Sequence, residues 1–310
     1  MATLIDLLRA LADPTRLRIA QLARRMELTV GELAHVLDQS QPRVSRHVRI
    51  LAEAGLLERH KEGAWVFVRF ADDEAARRAG ALLDVAAEPD ADIARLDAVR
   101  AERVAAAEAY FTAHAGDWDR LRALHVGDAE VEAAIVEMLA ARPVGRLVDI
   151  GTGTGRMLEL LAPAATTALG IDRSVEMLRA ARGKLEAAGL GTCPVRQGDM
   201  AALPLDAASV DTAVLHHVLH FAERPQDAIR EAARVLAPGG GLLIADFAPH
   251  DHEEFRRDHA HQRLGFAEDA VTAWLHRAGL ETISVRHFKG PLTVTIWHAA
   301  KPARAVKAVA

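Results

Sequence analysis

Apolar positions in the first part of the chain recur with the spacing of amphipathic helices. The periodicity runs through residues 4–27 and is interrupted at Asp13, a residue type that caps helix starts. Thr29 with Glu32 three positions later matches a capping box, and Ser40 marks another helix start. The pattern therefore predicts several short helices separated by well-marked turns.

The pattern changes twice along the rest of the chain. Alternating runs over residues 56–59 and 65–68 predict a β-hairpin, and residues 72–141, with little glycine or proline, predict further helices. From Arg146 onward, apolar strand-like runs alternate with helical segments, which is typical of a parallel, doubly wound sheet. We expect an α/β protein overall, with a mostly helical N-terminal part.

Composition and charge narrow the class of protein. The chain has 310 residues, of which 50% are hydrophobic and 26% charged, as expected for two globular domains. Residues 1–70 carry a net charge of +3 and the remainder −8, which favours a polyanion-binding N-terminal module. Cys193 is the single cysteine, so an intramolecular disulfide and a cysteine-based zinc cluster are excluded. Without a signal sequence or an apolar run long enough for a membrane span, we expect a cytoplasmic protein that does not bind membranes.

The predicted helix after Ser40 has two chemically different faces. Val44, Val48 and Leu51 share the apolar face, and arginine and serine side chains lie opposite. Arginine forms bidentate hydrogen bonds with guanine, and serine bonds a base edge or a phosphate. A solvated basic face on a small helical module is the alternative. The candidate DNA-binding residues are Gln41, Arg43, Ser45, Arg46, Arg49 and, on the following hairpin, Lys61.

Three segments together resemble a known family. ALADPTRLRIAQLA, LTVGELAHVL and SQPRVSRHVRILAEAGLL, within residues 4–70, resemble the winged helix-turn-helix domain of the ArsR/SmtB regulators. The resemblance implies a homodimer on an inverted-repeat operator in double-stranded DNA, with Gln41, Ser45 and Arg46 among the readers. Thr29 and Gly31 stand where many relatives carry thiol ligands, so we expect no metal sensing in this module.

A glycine-rich turn follows the first strand of the C-terminal part. In LVDIGTGTG, residues 147–155, the glycines permit a tight turn and let a ligand approach bare backbone beside a helix start. Asp149 before the turn suits a cationic or hydroxyl-rich ligand better than a phosphate. Asp172 follows the next strand, where a carboxylate accepts hydrogen bonds from ribose hydroxyls. Asp199 and Met200 follow the third strand. Asp199 offers a hydrogen-bond acceptor for an adenine amino group, and Met200 offers an apolar surface for the adenine ring.

These motifs, with VDTAVLHHVLHF and RVLAPGGGLLIADF, resemble class I S-adenosylmethionine-dependent methyltransferases over about residues 108–302. An NAD(P) site fits less well, because the later landmarks are not those of dehydrogenases. The resemblance implies a Rossmann-like, seven-stranded sheet whose last strand, near residues 292–298, is antiparallel. It also implies S-adenosylmethionine (SAM) or S-adenosylhomocysteine (SAH) as ligand. The residues expected to bind it are Asp149, Gly151, Thr152, Gly153, Gly155, Asp172, Asp199 and Met200.

Aromatic and histidine side chains concentrate beside the predicted ligand edge. Tyr110, Phe111 and Trp118, with Arg122 and His125, suit either a lid over the ligand or a seam that pins helices to the sheet. The candidate catalytic residues are His216 and His217, as a base or as lining of a methyl-acceptor pocket. A further group is either a divalent-metal site or polar cover for the cleft, and we expect no metal. Its members are His250, His252, His259 and His261.

The sequence thus predicts three regions and leaves two functions open. The regions are 1–72, a winged helix-turn-helix domain; 73–107, a helical linker and dimerisation region; and 108–302, a methyltransferase-type domain. The apolar stripe Ile93, Leu96 and Val99 is expected to pair with residues 4–11 in the dimer, because it needs a partner. One function is a transcription regulator that senses SAM or SAH. The other is an active methyltransferase on a small molecule, whose winged helix regulates its own operon.

The sequence excludes one enzymatic function and disfavours a second. Arsenite methylation uses several thiols, and Cys193 stands alone. Nucleic-acid methylation is disfavoured because LHHV follows the fourth strand of the C-terminal part in place of an NPPY-like word.

Overall fold

The computed structural model divides into two compact units, Met1–Ala106 and Ala107–Ala310. The boundary falls within one helix of the chain, Asp90–His114. The three-region division at residues 72 and 107 stays a prediction. The structure describes residues 4–62, 65–71, 74–84, 86, 88–115, 118, 128–140 and 142–303.

The first unit combines short helices with a small antiparallel sheet in the order β1-β3-β2. Its core is built from buried leucine, isoleucine and valine side chains on the helices and on β3. The helices are α1 (Leu4–Leu11), α2 (Pro14–Arg25), α3 (Val30–Leu37), α4 (Gln41–Glu53), α5 (Glu74–Leu83) and α6 (Asp90–His114). The strands are β1 (Leu28–Thr29), β2 (Leu57–Glu62) and β3 (Trp65–Phe70).

Two of the three predicted helix starts are confirmed by side-chain hydrogen bonds, and Ser40 precedes α4 without such a bond. Asp13 accepts a hydrogen bond from the backbone N–H of Arg16 at 3.0 Å at the start of α2. At α3, the Thr29 hydroxyl accepts from the Glu32 N–H at 3.1 Å, and the Glu32 carboxylate accepts from the Thr29 N–H at 2.7 Å. Arg103 on α6 binds the same carboxylate at 2.6 Å, so this ion pair ties α6 to the capping box of α3.

The hairpin is longer than the sequence predicts. The β2–β3 ladder runs from Leu57 opposite Phe70 to Glu62 opposite Trp65, so both strands extend past the predicted runs. Apart from Phe70, the added residues are polar, and an alternation of apolar residues does not mark them. The pKa of Glu58 is lowered to about 2 by hydrogen bonds from His60 and Arg69 together with their positive charges, which outweigh the effect of burial.

The predicted dimer contact of α6 stays a prediction, although two of the three residues of its apolar stripe are covered within their own unit. Leu96 and Val99 are buried in the core of their own unit. Exposed apolar side chains remain on α1, where Ile5 and Leu8 are 59% and 46% exposed.

The second unit is a doubly wound sheet of seven strands in the order β6-β5-β4-β7-β8-β10-β9. Strands β6, β5, β4, β7 and β8 run parallel, and β10 is antiparallel to both β8 and β9, as predicted for the last strand. The strands are β4 (Arg146–Ile150), β5 (Thr167–Asp172), β6 (Val195–Gln197), β7 (Val210–His216), β8 (Leu236–Phe247), β9 (Glu281–Phe288) and β10 (Val294–Ala300).

Helices cover both faces of this sheet and create two apolar layers. Leu147, Val214 and Leu243 face the layer that includes the helices before β4 and after β4 and β5. Val148 and Leu215 face the opposite layer. The helices are α7 (Asp128–Ala140), α8 (Arg156–Leu161), α9 (Val175–Ala187), α10 (Pro225–Val235), α11 (Glu254–Asp258) and α12 (Glu268–Arg277), with 3₁₀ turns at Ala162–Ala164 and Leu219–Phe221.

Strand order places the candidate chemistry at one edge. The chain winds from β4 through β5 to β6 on one side and returns at β7 on the other, so β4 and β7 flank the reversal point. In open α/β sheets, ligands bind at the carboxyl ends of the strands beside such a reversal. No helix in the described part of the chain is long and apolar enough to cross a membrane.

Candidate functional site

The glycine turn after β4 is shaped by the contact of its backbone with a neighbouring segment. Gly151, Gly153 and Gly155 have φ of +72°, +53° and +88°, a region that favours glycine. A Cβ on Gly151 would lie 2.2 Å from the Cγ2 atom of Val218. The backbone N–H of Gly151 also donates to the carbonyl of Ile171 at 2.7 Å. The loop is therefore packed against both of its neighbouring strand ends.

Asp149 and Thr152 lie beneath this turn. Asp149 is 1% exposed, and its carboxylate accepts a hydrogen bond from the Thr152 hydroxyl at 2.6 Å. Both side chains support the loop from inside the unit. Their predicted contact with a ligand stays a prediction.

Asp172, at the end of β5, joins the glycine turn to the loop after its own strand. Its two carboxylate oxygens accept from the backbone N–H groups of Gly153 and Ser174, each at 2.8 Å. Burial raises the pKa of Asp172, and these N–H groups oppose that rise. Each carboxylate oxygen has capacity for a second hydrogen bond, so the group is held in place and still able to accept from a ligand.

Asp199 and Met200 follow β6, as the sequence predicts. Asp199 is exposed and accepts from the Ala201 N–H at 2.8 Å, and Met200 packs half-buried against the apolar layer. The structure thus places an acceptor and an apolar side chain next to each other at the same edge as Asp172, since β5 and β6 are parallel neighbours.

The predicted aromatic group is assembled beside the glycine turn. The Trp118 indole nitrogen lies 3.6 Å from the position of a Cβ on Gly153. The Trp118 ring lies 5.5 Å from that of Phe111 and 6.1 Å from that of Phe221, and Tyr110 contacts Phe111. Arg122 and His125 lie outside the described residues. These rings link the glycine turn to the segment after β7.

His216 and His217 end β7 and start the next loop, and both are 7% exposed. Their rings contact each other with centroids 4.5 Å apart. His217 has φ of +50°, and its backbone N–H donates to the carbonyl of Ala245 at 2.8 Å. A non-glycine residue in this conformation is strained, and such strain is concentrated at functional sites. Their catalytic role stays a prediction.

A buried histidine–aspartate pair lies beside these two histidines, and the sequence alone does not single it out. His220 in the turn after β7 bonds Asp246 near the end of β8, with Nδ1 and Oδ1 2.7 Å apart and both side chains buried. The available signal was the aspartate within the apolar run of residues 242–247 at a strand end.

The four later histidines do not form one ligand set. His261 stacks on His220 with centroids 4.0 Å apart, and His259 bonds the Tyr110 hydroxyl through Nδ1 at 2.8 Å. His252 is exposed beside Glu254. His250 has its pKa lowered to about 4, mainly by burial and then by the charges of neighbouring histidines.

Potential metal ligands meet elsewhere in the described part of the chain. One ligand atom each of His217, His220 and Asp246 lies within 4.8 Å of the other two. Asp246 also accepts from two backbone N–H groups, so its carboxylate already has three donors.

The first unit presents the predicted basic face. On α4, Val44, Val48 and Leu51 are buried, and Arg49 pairs at 3.6 Å with the exposed Glu53. The predicted DNA-binding side chains are all exposed: Gln41, Arg43, Ser45, Arg46, Arg49 and Lys61. This arrangement separates a core face from a polar, positively charged face on one helix. Contact of these residues with DNA stays a prediction.

Comparisons with known proteins identify both units. The family described as "Bacterial regulatory protein, arsR family" matches residues 13–59, and the family described as "Methyltransferase domain" matches residues 148–244. The arsenical resistance operon repressor of Escherichia coli is 50% identical over 66 residues, which are 21% of this chain and 56% of the repressor.

The second unit has relatives of its own. The ubiquinone/menaquinone biosynthesis C-methyltransferase UbiE of Syntrophotalea carbinolica is 37% identical over 123 residues, 39% of this chain and 52% of the relative. The fold is shared with a chain from the complex of the Haloferax volcanii Trm112 methyltransferase activator with a methyltransferase, with a TM-score of 0.54. The sequence identity is 22%, and the match covers 64% of this chain and 98% of that chain. This chain spans about half the length of the two curated relatives.

Proposed function

Because this chain belongs to the arsR family of bacterial regulatory proteins through its N-terminal domain and carries a methyltransferase domain behind it, we propose that it is a DNA-binding transcription regulator that senses SAM or SAH. The observation that carries the proposal is the presence, in one chain, of an exposed basic helix face and a glycine turn bonded to Asp172. The first suits a DNA groove, and the second suits a nucleoside.

The DNA side of the proposal rests on α4. Its arginines and its Ser45 project from a helix whose other face is fixed in the core, which is the arrangement of a helix that enters the major groove. Lys61 on the hairpin supplies a charge for a flanking phosphate. We infer that two copies bind an inverted repeat, and that the exposed Ile5 and Leu8 on α1 supply apolar area for their contact.

The ligand side rests on the fit of the site to SAM or SAH. Gly153 offers bare backbone, Asp172 offers carboxylate oxygens for ribose hydroxyls, and Asp199 offers an acceptor for the adenine amino group. Met200 offers an apolar surface for the ring. When bound, SAM presents a methyl group on a positively charged sulfur. These residues therefore suit the ligand that the methyltransferase family uses.

The test is fluorescence anisotropy with labelled DNA from upstream of the gene, at one fixed salt concentration, without ligand and with SAM or SAH. A sensor requires that the ligand bind the DNA-competent and DNA-incompetent states unequally. We expect at least a fivefold change in DNA affinity, which corresponds to about 1 kcal/mol of coupling. Tight DNA binding that neither ligand changes would reject the sensor.

Matched variants test DNA binding and SAM binding separately. Arg46→Ala with Arg49→Ala should abolish specific DNA binding and leave SAM binding unchanged. Arg179→Ala removes an equally exposed arginine from α9 of the other domain and should leave DNA binding unchanged. Full DNA binding by the double variant would refute the assignment of α4.

An active small-molecule methyltransferase is the second candidate. It is favoured by the match of the methyltransferase family over residues 148–244 and by the likeness to UbiE, a C-methyltransferase. The two functions are compatible, since one bound ligand serves both.

A further inference from the structure

A buried pair of side chains lies beside the glycine turn, one in the turn after β7 and the other near the end of β8. His220 lies in the 3₁₀ turn Leu219–Phe221 after β7, and Asp246 is the penultimate residue of β8. Their side chains are 3% and 0% exposed, and His220 Nδ1 lies 2.7 Å from Asp246 Oδ1.

Asp246 is fixed before any ligand arrives. Its carboxylate accepts from the backbone N–H groups of Leu219 at 2.9 Å and Phe247 at 2.8 Å, in addition to the imidazole. Burial acts to raise the pKa of Asp246, but the charges of His220 and His217 and these hydrogen bonds leave it below its ordinary value. The carboxylate is thus ionised at neutral pH and only accepts hydrogen bonds.

This geometry defines the tautomer of His220. Since the carboxylate accepts, Nδ1 carries a proton, and a lone pair of the ring can lie on Nε2 alone. The hydrogen bond of the His220 ring to Asp246 uses Nδ1, so Nε2 is the ring nitrogen that can accept from a ligand. A carboxylate that orients an imidazole in this way makes the imidazole a general base.

The surroundings of the pair are flat and aromatic. Against His220 lie the rings of Phe221 at 4.1 Å, His261 at 4.0 Å and Phe247 at 5.1 Å. His261 has its pKa lowered well below the ordinary value by burial and by neighbouring histidines, so it is neutral at neutral pH. The titratable groups that interact with His220 are His217, His250, His261 and Asp246.

The pair is close to the proposed cofactor site. Phe221, which contacts His220, also lies 6.1 Å from Trp118, and the Trp118 nitrogen lies beside Gly153. Gly151 itself packs against Val218, two residues before His220. An acceptor bound against these rings is therefore within one side-chain layer of the glycine turn.

We propose that His220 and Asp246 form a general-base dyad that takes the proton of a phenolic hydroxyl on an aromatic methyl acceptor. The proposal rests on the proposed binding of SAM and assigns an activity to that site. Aromatic walls favour an aromatic ring through stacked and edge-to-face contacts. A phenol with a pKa near ~10 is almost wholly protonated at neutral pH, so methylation of its oxygen needs a base.

The proton and the methyl group of this reaction move to different atoms. The phenolic oxygen gives its proton to Nε2 of His220 and forms a bond to the methyl carbon, whose bond to sulfur breaks with its electron pair staying on sulfur. The products are the aryl methyl ether, SAH and the imidazolium of His220, whose charge is stabilised by Asp246 and whose proton passes to solvent.

The experiment uses the full chain with His220→Gln and Asp246→Asn, and His276→Gln as control, since His276 is exposed on α12. Nitrogen NMR of the histidine side chains should show His220 with its proton on Nδ1 in the wild type and a changed tautomer population in Asp246→Asn. Binding of 4-nitrophenol, followed by phenolate absorbance, should raise the phenolate fraction in the wild type and the control only.

Activity with catechol as probe gives the third measurement. Both dyad variants should release SAH at least 100-fold more slowly than the wild type at saturating SAM, within the range of about 10²–10⁴ for general acid–base catalysis. SAM affinity by calorimetry should stay within twofold. Absence of SAM binding by the wild type would instead reject the proposed function.

Three results would overturn the dyad: an Nε2–H tautomer of His220, a phenolate fraction that does not depend on His220, or equal SAH release by variant and wild type. Retention of a divalent metal by the purified wild type and its loss from Asp246→Asn would also overturn it, since the carboxylate would then be a metal ligand.

Discussion

The contact between Gly151 and Val218 predicts a large cost for the smallest possible substitution. Alanine at Gly151 must adopt φ of +72°, which costs about 1–2 kcal/mol for an L-residue. Its Cβ would also lie 2.2 Å from a Val218 methyl group, and overpacking of this kind costs about 1–3 kcal/mol. We therefore expect Gly151→Ala to lower the free energy of unfolding of the second domain by about 2–5 kcal/mol and to abolish SAM binding.

Gly189→Ala is the matched control. Gly189 has nearly the same φ, +75°, but a Cβ there meets nothing within 4 Å. It should lower the free energy of unfolding by about 1–2 kcal/mol and leave SAM binding intact. Val218→Ala should cost less free energy of unfolding in Gly151→Ala than in the wild type, because it removes the nearest clashing atom, although the Val218 Cβ at 2.8 Å remains.

The assay is denaturant unfolding followed by tryptophan fluorescence, with calorimetry for SAM. Trp297 is fully buried in the second domain and reports on its sheet. Equal losses for the two glycine variants, or strictly additive losses in the double variant, would show that Val218 does not shape the turn.

Three further predictions concern charged groups. Asp172→Asn should weaken SAM binding at least tenfold by calorimetry, since hydrogen bonds to charged groups contribute about 1.5–3 kcal/mol; unchanged affinity contradicts the site. Glu58→Gln should destabilise the first domain at pH 7 but not near pH 2. The lowered pKa of Glu58 adds stability that is complete above the ordinary value of 4.5 and is lost as the pH falls towards about 2. A difference in thermal unfolding that does not depend on pH would contradict this. Arg103→Ala should lower the free energy of unfolding of the first domain by about 1–3 kcal/mol in denaturant, because it removes the ion pair that holds the capping box of α3; Arg179→Ala, in the other domain, is the control.

Local features were predictable because their causes are local. The caps at Asp13 and Thr29 are formed by residues three positions away, and the glycine turn follows directly from the residues after β4. Alternation of apolar strands with helices was sufficient to predict the doubly wound sheet, because both faces of its parallel strands are covered.

Features that depend on strand order were not predictable. His220 and Asp246 are 26 residues apart and meet only because β7 and β8 are neighbours. A sequence that offers several histidines gives no means to decide which one reaches the aspartate. The apolar spacing of Leu96 and Val99 on α6 likewise does not distinguish a contact within the unit from a dimer contact. Both residues pack within their own unit.

The pairing of distant strands also has a consequence for synthesis of the chain on the ribosome. Leu147 on β4 pairs with Thr212 on β7, and Phe247 on β8 pairs with Val294 on β10, so the sheet cannot close until nearly all of it has been translated. The first unit ends at Ala106 and is held by contacts among residues already made. It can fold while the remainder is still being synthesised. On the proposed function, a transcript truncated after that point would yield a DNA-binding protein that lacks the ligand-binding domain.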